Sequence, residues 1–371
     1  MPTARTFTKR AYECTLYEAQ DVLVEIDDVD LIPLESRPGF SARFGWHKRL
    51  TYHDPSQRLV LQNPGLRKVK LTRDYDLFVA VCQGHSDLLY INAIEGWEDR
   101  CKTSVCWLDE LWAVDIPLLK HWLPALRRFD HVFVGSRGTV RPFSEALGKE
   151  CGWLPGGADT IRFSPYPNPP SRVVDVYSIG RRSEGIHRAL LQAAASREIF
   201  YVYDTFPEIA DMEPYDHRHH RDFYANMAKR SRYFMVAPGK VDLSSKNGGQ
   251  VEVGYRYFEG ACAGAVLMGQ IPEGDAFREL FPWQDVVVPV RPDGSDTLET
   301  IAALNADPER VCAMSRTNAA EALVRHDWVY RWKEIFRRAG VAPSAGMVAR
   351  ERRLRELASF AKGQPAYVAS P

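Results

Sequence analysis

Nine short apolar runs recur along this chain, several of them unbroken stretches of β-branched residues, and longer segments of helical period separate them. They fall at 21–26, 77–82, 104–107, 131–135, 173–179, 199–203, 233–237, 265–268 and 286–290. A strand with one wet face alternates apolar and polar residues. A strand covered on both faces reads as a continuous apolar run. Strands of this kind alternating with helices imply βαβ units and parallel sheets. The 371 residues, 45% of them apolar, are enough for about two such domains.

The boundary between them falls at Phe163-Ser164-Pro165-Tyr166-Pro167-Asn168-Pro169-Pro170-Ser171. Its prolines exclude a helix or a central strand and make a stiff connector. The reading is an N-terminal domain over 1–168, a second domain over 169–333, and a helical extension over 334–371 that crosses back. Across the end of the second domain and the start of that extension, Trp328, Trp332, Ile335 and Phe336 share a helical face ending at Gly340. A further helix is expected over 346–362, with 350–353 as a solvated face and 364–371 as a frayed tail. Ligands of such sheets bind beyond the carboxyl ends of the strands, here in the cleft between the domains.

Lysine plus arginine equals aspartate plus glutamate at 48 each. That balance argues against non-specific nucleic-acid binding but leaves room for a local anion pocket. The seven cysteines are scattered without a C-x-x-C pair, so reduced thiols in the cytoplasm are expected. The N-terminal residues contain no apolar signal core, and no stretch is long enough to span a membrane.

Two segments could carry phosphate chemistry. Gly180-Arg181-Arg182-Ser183-Glu184-Gly185 follows a strand and opens a helix. It is either a diphosphate clamp, since the arginine fork suits phosphate oxygens, or a turn with solvated arginines. The second is Asn247-Gly248-Gly249-Gln250-Val251-Glu252-Val253-Gly254-Tyr255-Arg256-Tyr257-Phe258-Glu259, a glycine-rich entry into a helix whose first amides favour an anion. Glu259 is either an acceptor for the two hydroxyls of a ribose or a local cap or ion-pair partner. Lys240 and Lys246 either add positive charge near the phosphates or are exposed solubilising residues.

On the facing domain, Asp109 in Ser104-Val105-Cys106-Trp107-Leu108-Asp109-Glu110 stands where a strand meets the cleft. It is a proton acceptor, a stabiliser of developing oxocarbenium charge, or a helix N-cap. His85, after the strand 77–82, is a candidate for the acceptor side, as is Glu110. Asp28-Val29-Asp30 is a D-x-D of the kind that holds a cation in metal-dependent transferases, and acidic turns produce it by chance. The histidines of Asp216-His217-Arg218-His219-His220 have no matching distant ligand pair, so a helix start is the better reading. No metal site is assigned.

The stretch from Gly249 to Met268 resembles the donor-binding segment of retaining GT-B glycosyltransferases, especially family-four and spore-maturation-type members. In those a glycine turn, a glutamate, small residues, a glycine and an apolar strand follow in order. Other pieces occur in the family's order: Asp130-His131-Val132-Phe133-Val134-Gly135, Leu154-Pro155-Gly156-Gly157-Ala158-Asp159, Ile179-Gly180-Arg181-Arg182, Leu304-Asn305-Ala306-Asp307-Pro308-Glu309 and His326-Asp327-Trp328. The match spans about 130–333.

The resemblance implies a GT-B fold: two Rossmann-like, doubly wound α/β domains facing an interdomain cleft. It implies hexosyl transfer from a nucleotide-diphosphate-sugar to a hydroxyl acceptor (a glycan, a lipid-linked sugar or a small molecule), with retention and without a metal or other cofactor. Arg181 and Arg182 with Gly180 would bind the diphosphate, and the amides at Gly254 and Tyr255 would cradle it. Glu259 would bind the ribose. The family's first glutamate stands eight positions earlier, where this chain has Val251, and a loop one residue shorter puts Glu252 in its role. Asp109 occupies the place of the family's active-site histidine. The implied location is the cytoplasm, with a peripheral place at the inner membrane face left open. The alternatives are a GT-B-fold nucleotide-sugar epimerase or hydrolase, a non-catalytic nucleotide-sugar-binding partner, and a metal-dependent transferase using the D-x-D.

Overall fold

The structure is a computed structural model and describes residues 1–205, 213–242 and 247–363. Two parallel sheets dominate it. The first has four strands, β1 (Tyr75–Cys82), β2 (Cys101–Leu108), β3 (His131–Val134) and β4 (Cys151–Trp153), in the order β1-β2-β3-β4. The second has five, β5 (Val174–Ser178), β6 (Tyr201–Tyr203), β7 (Ser231–Val236), β8 (Val266–Gly269) and β9 (Val287–Pro289), in the order β6-β5-β7-β8-β9. The strand β4 was not anticipated.

The unbroken apolar runs are explained by cover on both faces. In the first sheet Phe78, Ala80, Cys106, Leu108, Val132 and Val134 enter one core. Val79, Val105, Trp107 and Phe133 enter another. The second sheet divides in the same way, with Val174, Phe234, Val236 and Leu267 on one side and Val176, Tyr233, Met235 and Met268 on the other. These apolar strand residues are thereby removed from water on both faces of each sheet.

The expected strand at 21–26 is instead the end of helix α1 (Cys14–Ile26). Leu16, Ala19, Val22, Leu23 and Ile26 recur at helical spacing and are buried, a period that the three residues Val22-Leu23-Val24 cannot reveal. Helix α1 packs on the first sheet together with two helices from the other end of the chain, α5 (Trp328–Ala339) and α6 (Ala345–Gly363). The N-terminal sheet is therefore completed by C-terminal chain. Asp30, beyond α1, is occupied by Arg73 and the Tyr75 hydroxyl. The tail 364–371 lies outside the described residues.

Arg350 corrects the expected solvated face at 350–353. Its guanidinium is enclosed and bonds Asp327 and Asp159. It belongs to a buried network in which Glu18 of α1 receives Arg162, the Trp328 indole, and Arg221 from helix α3 (His217–Lys229). A carboxylate withdrawn from water is tolerated only when paired and hydrogen-bonded in this way.

Candidate active site

The carboxyl ends of the two sheets meet. After β1 comes Gln83, after β2 come Asp109 and Glu110, and after β3 comes Gly135. A Cβ on Gly135 would stand 2.2 Å from the Asp109 carbonyl oxygen, so only glycine lets these two strand ends close together. From the second sheet come the turn at Gly180, the segment at Gly239–Lys240, and helix α4 (Tyr255–Cys262), which Gly254 precedes as N-cap. Polar contacts join the two sides. The Tyr255 hydroxyl donates to Asp109 at 2.5 Å, Lys240 pairs with Glu110 at 2.6 Å, and the Ala113 amide donates to Gln250 at 2.9 Å.

Asp109 is buried, and burial pushes its carboxyl up to about 7, with the neighbouring Glu110 charge adding to the effect and the Tyr255 hydrogen bond opposing it. The amide of Gln83 supplies its second donor at 3.2 Å. A carboxyl poised near 7 where the carboxyl ends of the two sheets meet can exchange a proton under ordinary conditions. Glu110 is held by Lys240 and the Trp112 indole.

The turn after β5 is built for a close approach. Gly180 adopts φ +81, a conformation that favours glycine, and its amide donates to Asp204. Arg181 donates from Nη1 to both oxygens of Asp242, each at 2.7 Å. Arg182 reaches the Asp204 carboxylate at 2.6 Å and the Asp204 carbonyl at 2.9 Å. Its Nη1 is buried without a hydrogen-bond partner among the described residues. A cavity of about 20 Å³ lies here, lined by Arg181, Arg182, His187, Tyr201 and Gln270 among others.

Glu259 is not open to a ligand. Its side chain is 0% exposed, and both oxygens are taken, one by Arg221 and the other by Arg256 and the Tyr224 hydroxyl. Burial alone would raise its pKa, but the Arg256 and Arg221 charges outweigh it and hold the group at about 2. The direct ribose contact expected of Glu259 is therefore corrected. The partly exposed member of this set is Arg256, 27% exposed, which lies over the Tyr224 ring and donates to the Ile179 carbonyl at 3.2 Å. That bond brings the start of α4 against the Gly180 turn. Sequence reasoning missed Arg256, although an arginine three residues before a glutamate on a helix is a recognisable pair.

Glu252 is also corrected. Its carboxylate accepts the amides of Arg137 and Gly138, each at 2.9 Å, and the Gln250 side chain at 2.6 Å. It fastens the glycine-rich segment to the loop after β3, Oε1 accepting from Gly138 and Gln250 and Oε2 from Arg137. His85 shares a loop with Gln83 but turns its ring to Tyr52 and Trp122. Burial, aided by the Lys48 charge, lowers its pKa to about 4. Lys246 lies outside the described residues. Asp109, Glu110, Gly254 and Tyr255 are thus brought together, with Gly180, Arg181 and Arg182 alongside through Arg256.

Residues 181–337 match the family described as glycosyl transferase-like. No curated protein matches the chain in sequence. Among solved structures it is similar to an alpha-glucosyltransferase in complex with UDP and a 13-mer DNA containing an HMU base, with TM-score 0.51 and 11% identity over 91% of this chain and 98% of that one. It is likewise similar to HepE of Anabaena in complex with UDP and glucose, with TM-score 0.50 and 14% identity over 91% of this chain and 98% of that one. At such identities the likeness concerns the fold, and the fold is GT-B.

Proposed function

We propose that this protein transfers a hexosyl unit from a nucleotide-diphosphate-sugar to a hydroxyl acceptor, with retention and without a metal. The observation that carries the reading is the opposition of charge and proton chemistry across one cleft. Arg256 and the Gly180-Arg181-Arg182 turn stand on one side. Asp109, with its pKa near 7, stands on the other. The glycosyl transferase-like match over 181–337 supports the transfer chemistry, and the UDP and glucose held by the Anabaena relative support a nucleotide-sugar as donor.

In this reading Arg256, Arg182 and the first amides of α4 stabilise the leaving diphosphate, charge that develops as the glycosidic bond breaks. Glu259 and Tyr224 act one step back by fixing Arg256. Asp109, freed from Tyr255 when substrates enter, takes the acceptor proton. Glu252, Gln250 and Lys240 hold the domains together over the donor and limit hydrolysis.

The test is turnover of a nucleotide-sugar panel with and without hydroxyl acceptors. Transfer should depend on acceptor, and Asp109→Asn should lower kcat far more than donor affinity. Donor consumed equally well without acceptor would replace transfer by hydrolysis or epimerisation. Donor bound without turnover under any condition would leave a binding protein.

A further inference from the structure

The charges of this chain balance overall but not locally. From Ser36 to Arg73 the sequence holds nine lysines and arginines and a single acid, Asp54. Arg67, Lys68 and Arg73 are paired with Glu35, Glu95 and Asp30. Arg37, Lys48, Arg49 and Arg58 have no ion pair among the described residues.

Helix α2 (Phe40–Thr51) carries the centre of this segment. Its inner side is fixed to the N-terminal domain: Phe40 and Phe44 pack on Tyr90, and His47 bonds the Leu59 carbonyl at 2.8 Å. Its outer side is a stripe of Arg43, Trp46, Arg49 and Leu50 at helical spacing. Trp46 is 65% exposed and Leu50 53%, and Leu61 on the adjoining turn is 42% exposed. An exposed tryptophan and leucines among unpaired arginines are costly in water and are matched by a surface with an anionic rim over an apolar layer.

We propose that this face docks on an anionic lipid surface, with Trp46 and Leu50 entering the headgroup boundary and Arg43, Arg49 and their basic neighbours meeting the phosphates. Charge alone would also suit a nucleic acid. The apolar half of the stripe favours lipid. The helix runs on to Tyr52, whose hydroxyl bonds His85 on the loop that carries Gln83, which in turn touches Asp109. A bilayer beneath the helix therefore lies on the Asp109 side of the cleft, which points to a lipid-borne acceptor. That last consequence rests on the proposed transfer, whereas the docking does not.

The test is co-sedimentation of the full chain with phosphatidylcholine vesicles that contain or lack phosphatidylglycerol. Binding should require the anionic lipid and weaken as salt is raised. The pair Arg43→Glu with Arg49→Glu should reduce partitioning by roughly 30-fold or more. The pair Trp46→Ala with Leu50→Ala should reduce it as well, and wild-type melting curves will establish that both variants fold. Absence of binding to anionic vesicles overturns the proposal. So does preferential retention by duplex DNA at the same salt, or a self-association that Trp46→Ala abolishes. Vesicle binding without sugar transfer would remove the proposed function and leave the docking intact.

Discussion

Arg221→Leu is the most informative single perturbation of the fold beneath the site. Arg221 is 2% exposed and lies between two carboxylates that are each 0% exposed. It donates to Glu18 at 2.8 and 3.1 Å, bonds Glu259, and stacks on Phe163 and Tyr224. Removing one member of such an enclosed set costs about 3–5 kcal/mol, because charge is left buried without its partner. A leucine recovers about 1.5–2 kcal/mol through apolar burial. The net loss is then about 1–3.5 kcal/mol, or a urea midpoint lower by roughly 0.3–1.2 M at a slope of ~3 kcal/mol per molar. Burial tends to raise both carboxyls, but the arginine charges prevail and both end below the usual range, Glu259 at about 2. Groups depressed in the fold contribute stability above their ordinary pKa and lose it as pH falls through the folded value. The difference between wild type and variant should therefore hold from neutral pH down to about 5 and shrink below it. Equilibrium urea unfolding over a pH series measures this. An unchanged midpoint at neutral pH would refute the account of the network.

Three further outcomes follow from the site. If ionised Asp109 takes the acceptor proton, kcat/KM should fall about tenfold per unit as pH drops below 7, and Asp109→Asn should flatten that limb of the profile. Glu252→Gln leaves one of the Arg137 and Gly138 amides without its acceptor, so hydrogen exchange at those two amides should accelerate and stability should fall by about 1–3 kcal/mol. Glu259→Gln and Arg256→Ala should not add in their effect on donor affinity, since Glu259 acts through Arg256; full additivity in the double variant would mean an independent contact.

The strands were legible because burial on both faces leaves a continuous apolar run, as at 77–82 and 233–237. Helix α1 was not, because its most apolar stretch is also what a buried strand looks like, and the helical period emerges only from Cys14 onward. The short β4 contains Gly152 and offers three residues of signal. At the site, the meeting of the Gly180 turn with the start of α4 is what the family resemblance implied. The state of Glu259 was not, because spacing along one helix says nothing of an arginine 38 positions earlier that arrives from α3. Glu252 escaped for the same reason, since its partners lie 115 and 114 residues away in the other domain. Burial and long-range pairing decide what a carboxylate can do, and neither is written in the local sequence.

The central claim is that Arg256 and Arg182, at one end of a single cleft, hold the diphosphate of a nucleotide-sugar. Calorimetric titration of UDP-sugars and their purine counterparts into the wild type, Arg256→Ala and Arg182→Ala tests it most directly. The account predicts saturable binding of at least one donor by the wild type and a loss of roughly 10–100-fold in affinity in each variant, as the removal of a charge-assisted hydrogen bond requires. Wild-type affinity in both variants would contradict it.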